Sequence, residues 1–571
     1  MGICEFPTIK RRNSVKIEEC KETVNSILFP KGEQFYTKTS YYTKLNLNDK
    51  NIDDILWDKI QLLITFNNKS GSSNSVFKFK FEISNKNNGS YKEIGETDSL
   101  SGKGLIKFSK MIMINYTFHQ EQIIKVTAYQ DLVTISSVTF TIGSLMGSKS
   151  NSLLIPIKNK SNEEIGEIGI DGNHTSKMKV MTTFDIEFSF TFPINASQQD
   201  NNKKEYFFFY VISNCIKENE QKYLYKSNEF SVTEKKNTFK NTFHISSDML
   251  CLCDNSKNIK IEIFELNDIK EIQHTLTEST FSETIQLSQL ESSKDWMTFS
   301  LKPNPNIQIT SQVKIKYSQR EMFSFLDYIK SGMQMNLITG IDFTTKNLPY
   351  DNPSSLHYLS NTPNLYEKSI SLFGDLISYY DYDHLFPLYG MGGKKEASQE
   401  ISHCFPLSPD IKLNGVKSLI NTYKESLKKV IQGDTLNLTE LINESLTNIK
   451  AEIDEGINKY YIILLLVSGQ CNDIKEMKDI FVKASEYPVS IFIVGLGNDK
   501  YEDISVINNE EYAIINSNGD KIKRDIIRFI PIEKTNGDIN EIVKEMLSEI
   551  PRQVEEYYEM EKNIKFSLLS N

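Results

Sequence analysis

The stretch MNLITGIDFTTKN (Met335–Asn347) joins an apolar run to a short polar loop. A second run, YIILLLV (Tyr461–Val467), has the length and content of a strand buried on both faces. Nearby segments such as VKSLINTYKESLKKVI and LTELINESLTNIKAEI have apolar residues at helical spacing. This alternation predicts an α/β domain with a doubly wound parallel sheet. Ligands of such sheets bind at the carboxyl ends of the strands, so Asp342 and Ser468 are candidate site residues.

The chain before this domain has a different pattern. Short alternating segments such as IQLLITF, VFKFKFEI and SVTFTIGSL are separated by turn-rich clusters. A second set, with FDIEFSFTF, EYFFFYVI and IKIEIFEL, follows it. Each set predicts an antiparallel β-sandwich. The expected organisation is a tail over 1–48, sandwiches over 49–172 and 178–303, and the α/β domain over 313–571.

Composition narrows the class of protein. A chain of 571 residues is too long for one core. Its net charge of −10 argues against nucleic-acid binding, which needs a basic surface. The seven cysteines are scattered, which favours a reducing compartment over a disulfide scaffold. Without a secretory signal or an apolar run of about 20 residues, the sequence predicts a cytoplasmic protein.

The N-terminal stretch MGICEFPTIKRR resembles a lipidation signal. A myristoyl chain on Gly2 would bind membrane only marginally, whereas a second chain on Cys4 or the basic cluster at 10–12 would make binding stable. Phe6 stands where the usual motif has Ser or Thr. The alternative is that the glycine at position 2 is incidental.

Several segments together resemble the copine family over roughly residues 313–560; they include FSFLDYIKSGMQMNLITGIDFT, SSLHYL, YYDYDHLFPLYGMGG, ISHCFPL, VSIFIVGLG and RDIIRFIPI. Copines carry two C2 domains followed by a von Willebrand factor A-type (vWA) domain. The resemblance therefore implies that the sandwiches are C2-like and that the α/β domain is a vWA-type, Rossmann-like sheet. It also implies cytosolic proteins that move to membranes when calcium rises and recruit partners through the vWA domain.

The resemblance also implies a magnesium site, which this sequence alters. Asp342, Thr344 and Thr435 match ligand positions of the vWA pattern. Lys346 stands where a Ser is expected, and Ser468 where an Asp is expected. One carboxylate is lost and an ammonium is gained, and like charges this close repel by several kcal/mol. We expect a degenerate site, in which the Lys346 ammonium could pair with Asp342 and take the place of the cation. The alternative is that Lys346 points to solvent and a weak metal site persists. The residues expected to face a protein partner are Lys346, Asn347 and Ser468.

Calcium-binding C2 domains gather about five aspartates on two loops, because Ca²⁺ takes 6–8 oxygen ligands. In the first sandwich, the loop NNKSGSSN (Asn67–Asn74) has no carboxylate and the other loop offers only Asp131. The second sandwich has a partial set, formed by Asp200, Glu205, Glu265 and Asp268. Ordinary solvated loop charges are the alternative. We expect no cofactor to be required, with weak calcium or magnesium binding left open.

These observations predict a copine-like peripheral membrane adaptor with reduced cation dependence. It would bind an anionic phospholipid surface and an unidentified protein at the top face of the vWA domain. The alternatives are a conventional calcium-dependent copine and a structural docking protein in a large assembly. No P-loop, kinase motif or nucleophile–base pair is found, so an enzyme is not expected. Related plant proteins add a zinc-binding RING module, but no cysteine follows Cys471.

Overall fold

The structure is a computed structural model. It describes residues 58–70, 74–85, 90–174, 179–192, 206–217, 220–227, 230–246, 250, 256, 258–265, 279–291, 295–305, 309–396, 400–497, 501, 504 and 514–569. The chain divides into two compact units. One contains residues 178–322, and the other contains residues 57–177 together with 323–571. Within the described residues, no helix has the length and apolarity needed to cross a membrane.

The first sandwich is built from two five-stranded antiparallel sheets. Its elements are β1 (Asp58–Asn68), β2 (Val76–Asn85), β3 (Lys92–Glu96), β4 (Leu100–Ser101), β5 (Gly104–Lys107), β6 (Ile112–Tyr116), β7 (Gln122–Gln130), β8 (Val133–Thr141), helix α1 (Ile142–Met146), β9 (Ser152–Lys158) and β10 (Glu164–His174). The central order is β5-β1-β10-β9 in one sheet and β3-β2-β7-β8 in the other. Alternate residues of β1 and β7 are buried between the sheets, as the period-two pattern predicts.

The second sandwich forms one nine-stranded antiparallel path, β13-β12-β16-β17-β18-β19-β11-β15, with β14 beside β12. Its elements are β11 (Lys179–Thr191), β12 (Tyr206–Lys217), β13 (Glu220–Lys226), β14 (Phe230–Val232), β15 (Thr238–Ser246), β16 (Asn258–Glu265), β17 (Phe281–Gln286), α2 (Leu287–Glu291), β18 (Met297–Pro303) and β19 (Thr310–Met322). The predicted boundary at 303 is wrong, because β19 pairs with both β11 and β18. The α/β domain therefore begins at 323, not 313.

The α/β domain contains helices, parallel strands and a few short antiparallel strands. Its elements are α3 (Phe325–Lys330), β20 (Gln334–Asp342), α4 (Leu365–Ile377), β21 (Leu385–Met391), β22 (Gly393–Lys394), β23 (Phe405–Pro406), β24 (Lys412–Asn414), α5 (Gly415–Ser426), β25 (Ile431–Gln432), α6 (Thr439–Asp454), β26 (Lys459–Val467), α7 (Ile474–Ala484), β27 (Val489–Gly495), β28 (Ile527–Pro531), α8 (Ile539–Ser548) and α9 (Ile550–Leu569).

The five parallel strands run in the order β21-β20-β26-β27-β28. Helices α4, α5 and α8 contribute to the core on one face of the sheet, and α6 and α7 to the core on the other. Numbered along the chain, the strand order is 2-1-3-4-5, so the direction of growth reverses between β20 and β26. A ligand crevice is expected outside the carboxyl ends of these two strands.

The first sandwich and the α/β domain pack into one compact unit, although the sequence predicts them as separate domains. The hydroxyls of Tyr116 and Tyr380 lie 2.6 Å apart in a buried hydrogen bond. The ring of Phe118 packs edge-on against Phe325 at a centroid distance of 5.0 Å. A side chain at Gly147 would collide with the backbone of the α/β domain, which explains the glycine at this close approach.

Candidate functional site

Asp342 ends β20 at the point where the strand order reverses, and its side chain is fully buried. The Thr344 N–H donates to its Oδ1 at 2.7 Å. Ser468, directly after β26, donates to Oδ2 twice, from its N–H at 2.7 Å and its hydroxyl at 2.6 Å. Parallel neighbours end at the same sheet edge, which brings these residues together. The carboxylate is thus stabilised by three donors of its own chain.

Asn347 closes the loop that follows Asp342. Its amide donates to Ser468 Oγ at 3.0 Å and to the carbonyls of Asp342 and Thr344 at 3.0 and 3.2 Å. Its carbonyl oxygen accepts a hydrogen bond from the Tyr366 hydroxyl at 2.8 Å. Every polar atom of this side chain is therefore used inside the protein. The loop has a defined, internally bonded conformation.

His357 contacts the start of the loop from the buried side. Its Nε2 lies 3.0 Å from the Asp342 carbonyl oxygen, so this nitrogen carries the proton and donates. Its Nδ1 accepts from the Tyr423 hydroxyl at 2.8 Å. Burial lowers the pKa of His357 to about 3, although the bond to the Asp342 carbonyl opposes the shift. The ring is stacked on Tyr366 at 4.4 Å.

Sequence reasoning missed this supporting layer of His357, Tyr366 and Tyr423. The only available signal was the segment SSLHYL, which contributes to the family resemblance without indicating a role for its histidine. The layer is made by residues 15 to 81 positions beyond Asp342 in the chain. Pairwise contacts over such distances do not follow from periodicity.

The second loop of the predicted set lies beside the first. The Thr345 N–H donates to the Gly433 carbonyl at 2.8 Å, which joins the two loops. Gly392 has a φ of +68°, and a side chain there would meet both Thr344 and the Thr435 carbonyl. The structure thus places the Thr435 backbone beside the loop that follows Asp342.

The prediction for the partner-facing residues needs a correction. Lys346 is exposed on the turn Thr345–Asn347. Asn347 and Ser468 are buried, with 0% and 4% of their surfaces exposed. Their side chains turn inward because Asp342 and Tyr366 offer them hydrogen-bond partners. They cannot present side chains to a partner in this conformation.

The residues at this edge do not fit a magnesium ion. Mg²⁺ needs oxygen ligands in octahedral geometry, usually including more than one charge. Asp342 supplies the single carboxylate of the predicted set, and both its oxygens already accept hydrogen bonds. The Asn347 amide directs another donor at Ser468 Oγ. Among the residues described, no group of three or more His, Cys, Asp or Glu side chains could hold a metal.

Cys471 and Asp473 follow Ser468 and have structural contacts. Burial raises the pKa of the Cys471 thiol well above its usual value, so it stays protonated. Asp473 Oδ2 accepts from the N–H groups of Leu438 and Thr439, at 2.9 and 2.7 Å, where α6 begins. An anionic side chain at a helix N-terminus stabilises the helix.

The predicted calcium residues are only partly within the described chain. Asp200, Glu205 and Asp268 lie outside the described residues, as do Gly2 and Cys4 of the lipidation signal. Glu265 ends β16 and is half-buried, and its N–H donates to Thr280 Oγ1 at 2.9 Å. The set of four therefore stays a prediction.

The turn between β7 and β8 forms an apolar tip on the first sandwich. Asp131 and Leu132 both have positive φ, 52° and 68°, as tight hairpin turns require. The Asp131 carboxylate accepts from the Val76 N–H at 2.8 Å, so its charge supports the turn. Leu132 and Val133 are 86% and 61% exposed. We call Leu132 and Val133 the apolar tip.

Comparison with known proteins gives a consistent class. Residues 355–565 match the family model described as Copine. Copine-A of Dictyostelium discoideum is 26% identical over 482 residues, covering 81% of this chain and 78% of that protein. Copine-C of the same organism is 30% identical over 240 residues, covering 41% and 44%. Protein BONZAI 1 of Arabidopsis thaliana is 30% identical over 304 residues, covering 51% and 52%. The last two matches span about half of those relatives.

Solved structures with some similarity include the tandem C2 domains of Extended-Synaptotagmin 2, at 13% identity over 47% of this chain and 93% of that chain, with a TM-score of 0.16. Proximal thread matrix protein 1 from the mussel byssus is 13% identical over 38% of this chain and 45% of that chain, with a TM-score of 0.23. At these scores the description of the fold rests on the chain's own strand order.

The fold defines a class of protein: antiparallel β-sandwiches are followed by an α/β domain, whose strands β20 and β26 end beside Asp342 and Ser468. Within this class the C-terminal domain is a copine domain. The chain is similar to Copine-A over most of its length, and to the other relatives named above over about half of it.

Proposed function

We propose that this protein is a peripheral membrane adaptor whose two C2-like sandwiches contact anionic phospholipid and whose vWA-type domain recruits a protein partner, largely without cations. It is a cytoplasmic, non-enzymatic protein in this account, and no cofactor is required. Similarity to the copine family supports the general role.

The apolar tip is the observation that carries the lipid part of the proposal. Leu132 and Val133 project from a turn whose one carboxylate, that of Asp131, accepts a hydrogen bond from the Val76 amide. Because the tip has few carboxylates, an anionic surface repels it little, and no cation is needed to screen that repulsion. Burying exposed leucine and valine side chains would contribute roughly 1.5–3 kcal/mol each. Calcium is therefore not needed to bridge this tip to lipid.

The loop edge of the α/β domain supports the partner-binding part. Lys346 is exposed there, and Leu348 and Ile431 are large apolar side chains with substantial exposure. The Gln432 amide donates to the Leu348 carbonyl at 3.0 Å, so the two apolar residues belong to adjoining segments. A surface of apolar side chains beside a cation fits a protein segment with an acidic residue.

The test is co-sedimentation of the full-length, unacylated protein with vesicles containing phosphatidylserine, in calcium and in chelator. We expect equal pelleting in both conditions. L132D/V133D should reduce the bound fraction at least tenfold, because a charge replaces each apolar side chain. L154D is the matched control, since Leu154 is 73% exposed on β9 of the same sandwich, outside the tip.

Three results would contradict the proposal. Pelleting only with calcium would favour the conventional calcium-dependent copine and a working ligand set in the second sandwich. No pelleting in either condition would favour a docking protein in a larger assembly. An equal loss for L154D and for L132D/V133D would mean that the apolar tip is not the contact.

A further inference from the structure

In a cation site, the ion holds the surrounding loops together. At the Asp342 edge, the Ser468 side chain contacts several parts of the loop. Ser468 Oγ donates to Asp342 Oδ2, accepts from the Asn347 amide, and lies 3.3 Å from Thr344 Oγ1. One side chain thus contacts the beginning, the middle and the end of the loop after β20. The Ser468 N–H adds a second bond to the same carboxylate.

The far end of the loop is also held. Leu348 has φ 63° and ψ 161°, a conformation that costs energy for a residue with a side chain. It persists because the Leu348 carbonyl accepts from Gln432 Nε2 at 3.0 Å and from Ser355 Oγ at 2.9 Å. A strained residue fixed by two donors indicates a loop whose conformation is over-determined by its own chain.

We propose that Ser468 replaces a bound cation as the element that fixes the Asp342 loop, so that this edge keeps one conformation with or without divalent ions. The inference concerns the loop itself and holds or fails independently of membrane binding. It predicts that a partner of this edge meets a permanently formed surface, so its binding is not switched by magnesium or calcium.

The chemistry of position 468 explains why serine suits this role. An aspartate there would place a second carboxylate against Asp342 Oδ2, and two like charges at that distance in a buried site repel each other unless a cation lies between them or one is protonated. Serine supplies two hydrogen-bond donors to the same oxygen and keeps a lone pair for the Asn347 amide. The charge of the Asp342 carboxylate is stabilised by these hydrogen bonds, without a counter-ion.

The experiment is hydrogen exchange of the full-length protein, followed by mass spectrometry, in Mg²⁺ and in chelator. The reporters are the amides of Thr344, Thr345 and Ser468, which donate hydrogen bonds at this edge. In the wild type, exchange should be equally slow in both conditions. S468A should exchange at least tenfold faster in both. S468D should exchange at least tenfold faster in chelator, because of carboxylate repulsion.

Two control variants keep the result interpretable. S468T retains the hydroxyl and should keep the slow exchange, which separates the hydrogen bonds from folding as a whole. S490A removes a buried hydroxyl that lies 3.0 Å from the Tyr460 hydroxyl near the start of β27, and should leave the Asp342 loop unchanged.

The inference would be overturned if Mg²⁺ slowed the wild-type exchange tenfold or more. It would also be overturned if S468A or S468D exchanged as slowly as the wild type in chelator, or if S490A loosened the loop as much as S468A does.

Discussion

The two ends of strands β20 and β26 each hold a buried aspartate, and the two carboxylates are stabilised differently. At the carboxyl end, Asp342 is held by neutral donors of Thr344 and Ser468. At the amino end, Asp381 accepts from Asn336 Nδ2 at 2.8 Å and lies 3.5 Å from the Lys459 ammonium. The contacts described at the carboxyl end are hydrogen bonds from neutral groups, and those at the amino end include a protein cation.

The comparison shows that the stability of the amino end depends on paired charges. Burial raises the pKa of Asp381 to about 6, although the Lys459 ammonium opposes the shift. Burial disfavours the charge of Lys459, but its bond to Asp383 at 2.7 Å and the charges of Asp381, Asp383 and Glu452 together outweigh this and raise its pKa. The amino end is thus a cluster of charged groups, in which Lys459 pairs with Asp381 and Asp383. At the carboxyl end, backbone N–H groups and the Ser468 hydroxyl stabilise the Asp342 carboxylate. The surface of this end is therefore available to a partner.

The largest expected effect is the loss of the protein cation. K459M should destabilise the folded state by about 3–5 kcal/mol at pH 7.5, because it leaves Asp381 buried and unpaired. The cost should be smaller at pH 5, since Asp381 is protonated below its raised pKa of about 6. Chemical denaturation at both pH values measures this. K412M is the control, because Lys412 is exposed where it pairs with Glu452, and the variant should cost about 1 kcal/mol or less. A cost independent of pH would contradict this description.

Removing the charge at the other end should cost less. D342N should destabilise by about 2–3 kcal/mol, because an amide group would face the Ser468 N–H and leave a buried donor unsatisfied. D434N, on the exposed part of the neighbouring loop, should stay within about 0.5 kcal/mol. Denaturation curves of the two variants give the comparison. A D342N variant as stable as the wild type would mean that the Asp342 bonds do not hold the loop.

The supporting histidine should make the carboxyl end sensitive to acid. The folded pKa of His357 is about 3, below its ordinary value of 6.5. The unfolded chain therefore binds the proton first, and stability present above pH 6.5 is lost as the pH falls toward 3. The loss is about 1.4 kcal/mol per pH unit, or about 2 kcal/mol between pH 6.5 and 5. H357Q should lose correspondingly less over this range. Equal slopes for wild type and variant would contradict a buried neutral histidine.

The smallest expected effect is that of the hydroxyl alone. S468A should cost about 1–2 kcal/mol, since it removes one bond to the carboxylate while the Ser468 N–H bond stays. S468T should cost less than S468A in the same denaturation assay. The opposite order would show that volume at this position matters more than the hydroxyl.

The sequence predicts the strands and strand ends of this site because length, burial pattern and spacing determine them locally. Asp342 and Ser468 lie at the expected ends of β20 and β26. The inward direction of Asn347 was not predictable, because it depends on Tyr366 in a later helix. The boundary near 303 was misplaced because the KPNPN segment resembles a linker, whereas it begins in β18 and precedes another strand of the same sandwich.

The most direct test of cation independence at this edge is calorimetric titration of Mg²⁺ into the full-length protein, with D342N as the reference. We predict that the two titrations give the same heat, because both Asp342 oxygens already accept hydrogen bonds from Ser468 and Thr344. Saturable binding in the wild type that disappears in D342N would contradict the account and would restore a metal site at the end of β20.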